Sequence, residues 1–130
     1  MKILVGYRGI NLGKDLLDIA ATHAKAFNGL VLVVTSMKDG GETQQKKILE
    51  AEKNLNEAKE YFESKGVKCQ THLLIRGFEP GEDILAFAQE KQVDEIILGV
   101  KSRSKVGKIL FGSTAQAVIL QAECPVVSVK

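Results

Sequence analysis

Four short, nearly continuous runs of apolar, largely β-branched residues constrain this chain most: Ile3 to Val5, Leu30 to Val34, Ile96 to Leu98 and Val126 to Val129. A run without alternation gives a strand two apolar faces, which suits a parallel sheet covered by helices on both sides. A fifth stretch, Val67 to Ile75, alternates instead. Val67, Cys69, Thr71, Leu73 and Ile75 fall on one face and Lys68, Gln70 and His72 on the other. Alternation predicts a half-exposed strand at an edge of the sheet.

Helical spacing fills the intervals. Leu16, Ala20, Ala24 and Phe27 make one stripe, closed by Asn28-Gly29, a pair that tolerates positive φ. Ile48, Ala51, Leu55, Ala58 and Phe62 make a second, within a helix expected from Thr43 to Lys65 and stopped by Gly66. Charge pairs such as Glu42/Lys46 and Lys53/Glu57, one turn apart, support a solvated outer face there. Pro80 opens a third helix running to about Lys91, and Ser113 to Gln121 is the fourth. The order βαβαβαβαβ predicts an open five-stranded parallel sheet, doubly wound with helices on both faces, in one domain over residues 1–130.

Composition narrows the function classes. Apolar and charged fractions of 45% and 26% fit a packed globule and exclude disorder. No apolar run approaches the roughly 20 residues that span a bilayer. Met1-Lys2 leads directly into Ile3 with no cleavable-signal pattern. Cys69 and Cys124 are too few and too far apart for a disulfide framework, so both read as buried, reduced thiols in a cytoplasmic protein. A net charge of +2 gives no reason to expect nucleic acid or a membrane as partner.

In such sheets ligands bind beyond the carboxyl ends of the strands, where the winding reverses. The segments after Val5, Val34, Ile75 and Leu98 are therefore the places to look. The last is the most informative. From Gly99 to Ala122 there is no acidic residue, while Lys101, Arg103, Lys105 and Lys108 are basic. The segment enters a helix through Gly112-Ser113-Thr114, and a helix start offers unpaired N–H groups and a positive dipole end to an anion. A Gly-Ser pair is also a common N-cap, and a basic loop is commonly just solvated. Their coincidence at the ligand edge favours phosphate. The spacing is not that of a Walker A loop, and Gly6-x-x-Gly9 is not a dinucleotide fingerprint.

Over essentially its whole length the chain resembles the universal stress protein family, whose nucleotide-binding members carry G-x2-G-x9-G-(S/T) after the fourth strand. Gly99, Ser102, Gly112 and Ser113 stand at those spacings, with Ser102 in place of the second glycine. The Val5-Gly6-Tyr7 start and the closing Glu123-Cys124-Pro125-Val126-Val127-Ser128-Val129 extend the likeness. It implies a Rossmann-like sheet of the adenine nucleotide alpha hydrolase type and a homodimer through the last strand. It also implies an adenine nucleotide, ATP or AMP, with Mg2+ as an optional companion of the phosphates. By the same resemblance Gly99, Lys101, Ser102, Arg103, Gly112, Ser113 and Thr114 form the phosphate and ribose side. The adenine lies near the first two strand ends, where Val34 and Thr35 match its side; Gly6, Tyr7 and Arg8 after the first strand also belong to the site, with Arg8 expected to swing to the phosphates or point to solvent.

Two departures matter. ATP-binding members usually end the first strand with Asp, where this chain has Arg8-Gly9-Ile10. A carboxylate accepts from ribose hydroxyls whereas Arg only donates, so weak discrimination between ribose and deoxyribose is expected. Ser102 brings a Cβ to a position expected at positive φ, and a hydroxyl with it.

Other groups are weaker candidates. His23 and His72 lie far apart and show no Cys or carboxylate at ligand spacing, which argues against metal binding or Cys–His catalysis. Asp94-Glu95 is expected to be solvated at the end opposite the site. Asp39, in Lys38-Asp39-Gly40-Gly41, reads as a turn former. A nucleotide-binding regulatory module, a slow nucleotide hydrolase and a member acting through dimerisation alone all remain open. With no acid placed to orient water, binding is favoured over turnover.

Overall fold

Three of the apolar runs become interior strands because both of their faces are needed, and the fourth, Val126 to Val129, forms an edge of the sheet. In the computed structural model, which describes residues 1–38, 44–103 and 109–130, β1 (Lys2–Gly6) buries Ile3, Leu4 and Val5 completely. Ile3 and Val5 pack toward α1 (Ile10–Phe27) and α2 (Gln44–Ser64), while Leu4 packs toward α3 (Pro80–Lys91) and α4 (Ser113–Gln121). The same division runs through β2 (Leu30–Met37), with Val31 and Val33 on the first face and Leu32 and Val34 on the second. In β4 (Glu95–Gly99), Ile97 takes the first face and Ile96 and Leu98 the second. With β3 (Cys69–Ile75) and β7 (Val126–Val129) the sheet is five-stranded, all parallel, in the order β3-β2-β1-β4-β7. This is the doubly wound sheet expected from the sequence.

Helix ends follow local chemistry. Asn28 takes the left-handed conformation at φ 52 and its N–H returns to the Ala24 carbonyl, closing α1. Pro80 sits where a missing N–H leaves no gap, and Gln92, also at φ 52, closes α3. Gly66, at φ 72, follows α2.

The structure corrects several expectations. Phe27 leaves the α1 stripe and is 59% exposed; Leu17 and Ala21 complete the buried face instead. Val67 is buried but precedes β3, in the turn that its N–H makes with the Phe62 carbonyl. The edge strand is less one-sided than its alternation suggests, because α3 covers the second face: His72 stacks on Phe87 and Leu74 is buried, while Ile75 emerges into solvent. Glu95 is buried, since it shares a face with Ile97 under α1, and its Oε1 lies 2.7 Å from His23 Nδ1. His23 thus has the carboxylate partner that local spacing did not reveal; Asp94 remains exposed. Cys69 and Cys124 are free thiols but only half-buried. The segment after β4 contains an unforeseen antiparallel hairpin, β5 (Lys101–Arg103) with β6 (Ile109–Phe111). Thr43, with Asp39, Gly40, Gly41, Glu42, Lys105 and Lys108, lies outside the described residues.

Tyr61 clasps the two helices on the first face. Its hydroxyl donates to Asp18 Oδ1, joining α2 to α1. Burial and then that bond push its pKa from 10.0 up to about 12. The folded state therefore holds the phenol proton more tightly than the unfolded chain. Its stabilising contribution is whole below pH 10.0 and is lost as pH rises through about 12. Urea midpoints across that window should fall more steeply for the native chain than for Tyr61→Phe. Equal slopes would remove the clasp.

Candidate functional site

The winding reverses between β1 and β4, the switch point at which open α/β sheets bind ligands. A cavity of about 330 Å3 opens there. Its walls are the chain leaving β1 (Gly6, Tyr7, Arg8), the end of β2 (Val34, Thr35, Ser36) and the end of β4 (Leu98, Gly99). The starts of α3 (Pro80, Ile84) and α4 (Gly112, Ser113, Thr114, Ala115), with Leu16 of α1, complete it.

The first two strand ends are locked together. Tyr7 N–H donates to the Val34 carbonyl at 2.9 Å, and Thr35 Oγ1 donates back to the Tyr7 carbonyl at 2.7 Å. Gly13 lets the Tyr7 ring lie against α1, since a Cβ there would come within 2.8 Å of it. The Tyr7 hydroxyl is buried with no hydrogen-bond partner among the described residues, and burial, then nearby Glu57, raise its pKa. Ser36 Oγ donates to Asp83 at 2.9 Å. The hydroxyl protons of Thr35 and Ser36 are therefore engaged within the protein, and toward a ligand these two oxygens offer lone pairs only.

Helix α4 supplies the opposite character. Gly112 precedes it in an extended conformation, φ −70 and ψ 145, and no side chain caps it. The Gly112 N–H is taken by the Val100 carbonyl at 3.0 Å. The next amides, of Ser113, Thr114 and Ala115, have no partner among the described residues and lie at the positive end of the helix dipole. Any residue can adopt the backbone of Gly112, which lines the cavity. Arg8 is exposed at the mouth and has no ion-pair partner among the described residues. No carboxylate lines the cavity among the described residues.

Of the residues singled out in the sequence, Gly6, Tyr7, Arg8, Val34, Thr35, Gly99, Gly112, Ser113 and Thr114 are brought to this one cavity. Lys101, Ser102 and Arg103 lie in β5, with side chains outside what the structure describes. Ser102 is paired opposite Leu110 in extended backbone, so its Cβ meets no positive-φ penalty, contrary to expectation. Sequence reasoning missed the network behind the site. Asp83, fully buried in the first turn of α3, receives the Ser36 hydroxyl and, at 2.6 Å, the Arg76 Nε. The signal was an acid on the apolar stripe of α3, beside Ile84 and one turn before Phe87.

A larger groove, about 650 Å3, lies between α3 and α4 near the amino ends of β4 and β7. Among the described residues it is bordered by Glu82 and Glu123 and by no cation, which makes it a poor place for an anion. The smaller cavity has Arg8 and the start of α4 in its lining. Among the described residues no group of His, Cys, Asp and Glu could hold a metal ion, and no helix is long and apolar enough to cross a membrane.

The family model for the Universal stress protein family matches residues 1–130. Universal stress protein MJ0531 of Methanocaldococcus jannaschii is 38% identical over 81 residues, which are 62% of this chain and 46% of that protein. A solved universal stress protein from Archaeoglobus fulgidus superposes with a TM-score of 0.90 at 37% identity, covering 100% of this chain and 98% of the other. An Archaeoglobus fulgidus universal stress protein in complex with dAMP gives 0.85 at 34% identity, with the same coverage. Sequence, fold and topology agree, and the chain belongs to the universal stress protein family.

Proposed function

We propose that this protein is an adenine-nucleotide-binding regulatory module whose occupancy by AMP or ATP alters its contacts with other proteins. The observation that carries the reading is the acid-free cavity at the switch point, with Arg8, the hydroxyls of Ser113 and Thr114 and the uncapped start of α4 on one side. An anion gains from all of them. The other side, Val34, Pro80, Ile84 and Leu98, is apolar and suits the face of a base. Thr35 and Ser36 present lone pairs there, which match the amino group of adenine. That a related chain is described in complex with dAMP supports the same ligand class and agrees with a site that has no carboxylate among its described lining residues to accept from a 2′-hydroxyl.

With no carboxylate among the described lining residues, Mg2+ would be held by the phosphates and water, and nothing there orients a water for hydrolysis. Binding rather than turnover is the activity proposed, in a cytoplasmic protein. A homodimer through β7 is part of the reading: this strand pairs with β4 alone among the described strands, and Val126, Val127 and Val129 are only half-buried.

Calorimetric titration with ATP, ADP, AMP and dAMP, with and without magnesium, tests the site. Micromolar binding is expected, with dAMP within about tenfold of AMP, or about 1.4 kcal/mol. Gly112→Val should weaken every nucleotide at least about tenfold, because its side chain enters the phosphate side. Absence of heat with all four nucleotides would sink the reading. A larger penalty for dAMP would sink the role given to Arg8.

A further inference from the structure

We propose that Asp83, a positioning residue behind the cavity, sets which purines the site accepts by fixing the hydroxyl proton of Ser36; this rests on the nucleotide reading above. Ser36, near the end of β2, lines the cavity. A serine hydroxyl normally turns to donate or accept as its neighbour requires. This one is committed. Its Oγ donates to Asp83 Oδ2 at 2.9 Å, and Asp83 is fully buried. The other oxygen of that carboxylate accepts from Arg76 Nε at 2.6 Å, and Arg76 Nη1 is itself held by Glu90 at 3.0 Å. A carboxylate paired with a guanidinium is ionised and only accepts. Hydrogen bonds to a charged acceptor are the stronger kind, so a neutral ligand atom does not win the proton back. Toward the cavity Ser36 Oγ is an acceptor.

Thr35 has the same polarity by a different route. Its Oγ1 donates to the Tyr7 carbonyl at 2.7 Å, a backbone acceptor that every sequence would supply. Of the two hydroxyls, only that of Ser36 owes its direction to another side chain. A 6-amino purine presents a donor at this edge, whereas a 6-oxo purine presents an acceptor. Against the second, lone pairs face lone pairs and a buried acceptor goes unpaired. Val34, Pro80 and Ile84 are aliphatic and serve the face of either base alike, so the choice between them falls to the hydroxyls.

Titration with AMP, IMP and purine riboside 5′-monophosphate, which carries only hydrogen at the 6 position, tests the assignment. The native chain should bind AMP at least about tenfold tighter than IMP, with the 6-hydrogen nucleotide between them. A hydroxyl free to turn would donate to the 6-oxo group and place IMP above the 6-hydrogen nucleotide; that order overturns the proposal without any variant. Asp83→Ala releases the hydroxyl and should bring the AMP-to-IMP ratio toward one, while Asp83→Asn, which keeps an acceptor for Ser36, should preserve it. Ser36→Ala should also bring the ratio toward one, and it leaves the Asp83–Arg76 pair in place should Asp83→Ala not fold. A purely structural network would weaken AMP and IMP together. A native ratio in Ser36→Ala or in folded Asp83→Ala therefore overturns the proposal while the nucleotide site stands. Failure of the native chain to bind AMP at all would overturn both.

Discussion

Asp83→Ala should lower the unfolding free energy by about 3 kcal/mol, near the bottom of the range for breaking a buried ion pair from one side. The carboxylate is fully buried and serves two donors at once, Ser36 Oγ at 2.9 Å and Arg76 Nε at 2.6 Å. Its removal strands the hydroxyl and leaves the guanidinium one carboxylate short. The loss is held to the lower end because the Arg76 side chain is 31% exposed and keeps Glu90 at 3.0 Å, so its charge can rehydrate. Asp83→Asn, which retains an acceptor for Ser36, should lose clearly less. Urea midpoints of the two variants measure the difference. A loss under about 1 kcal/mol for Asp83→Ala would mean that the network is an accessory of the fold. The consequence reaches the candidate site, since Ser36 lines the cavity.

This network also marks the limit of what the sequence reveals. Ile3 to Val5 and Leu30 to Val34 could be read as two-faced strands because burial on both sides leaves no polar position, a signal contained in each segment. Pro80, Asn28 and Gly66 announced helix ends through their own backbone preferences. The location of the cavity followed from topology alone. Pairings across the fold leave no such trace. Ser36 meets Asp83 across 47 positions and His23 meets Glu95 across 72, distances at which spacing carries no geometry. The β5–β6 hairpin was hidden for another reason: strands of three residues are too short to establish a period. Gly112 was read correctly as a helix start.

Two phenylalanines placed on helical stripes by spacing should answer oppositely to the same substitution. Phe62→Ala is expected to cost about 3–5 kcal/mol and Phe27→Ala about 0.5 kcal/mol or less. Phe62 is wholly buried between α2 and the sheet, in a cluster with Leu55, Ala58 and Val67, and its ring meets Tyr61 edge-on at 5.3 Å. Truncation removes that transfer energy and opens a cavity that the sheet, fixed by its ladder, cannot collapse to fill. Phe27 ends α1 at 59% exposure, and its one ring contact is an edge-on approach to His23 at 6.4 Å. Little apolar surface returns to water when it is cut back. A loss of 3–5 kcal/mol is a large part of the stability of a domain this size, so Phe62→Leu, expected to lose about 1 kcal/mol, keeps the comparison measurable if the alanine variant does not fold. Comparable losses for Phe27→Ala and Phe62→Ala would contradict the burial of α2. They would also reopen the helical face that supports β1 and β2 below the cavity.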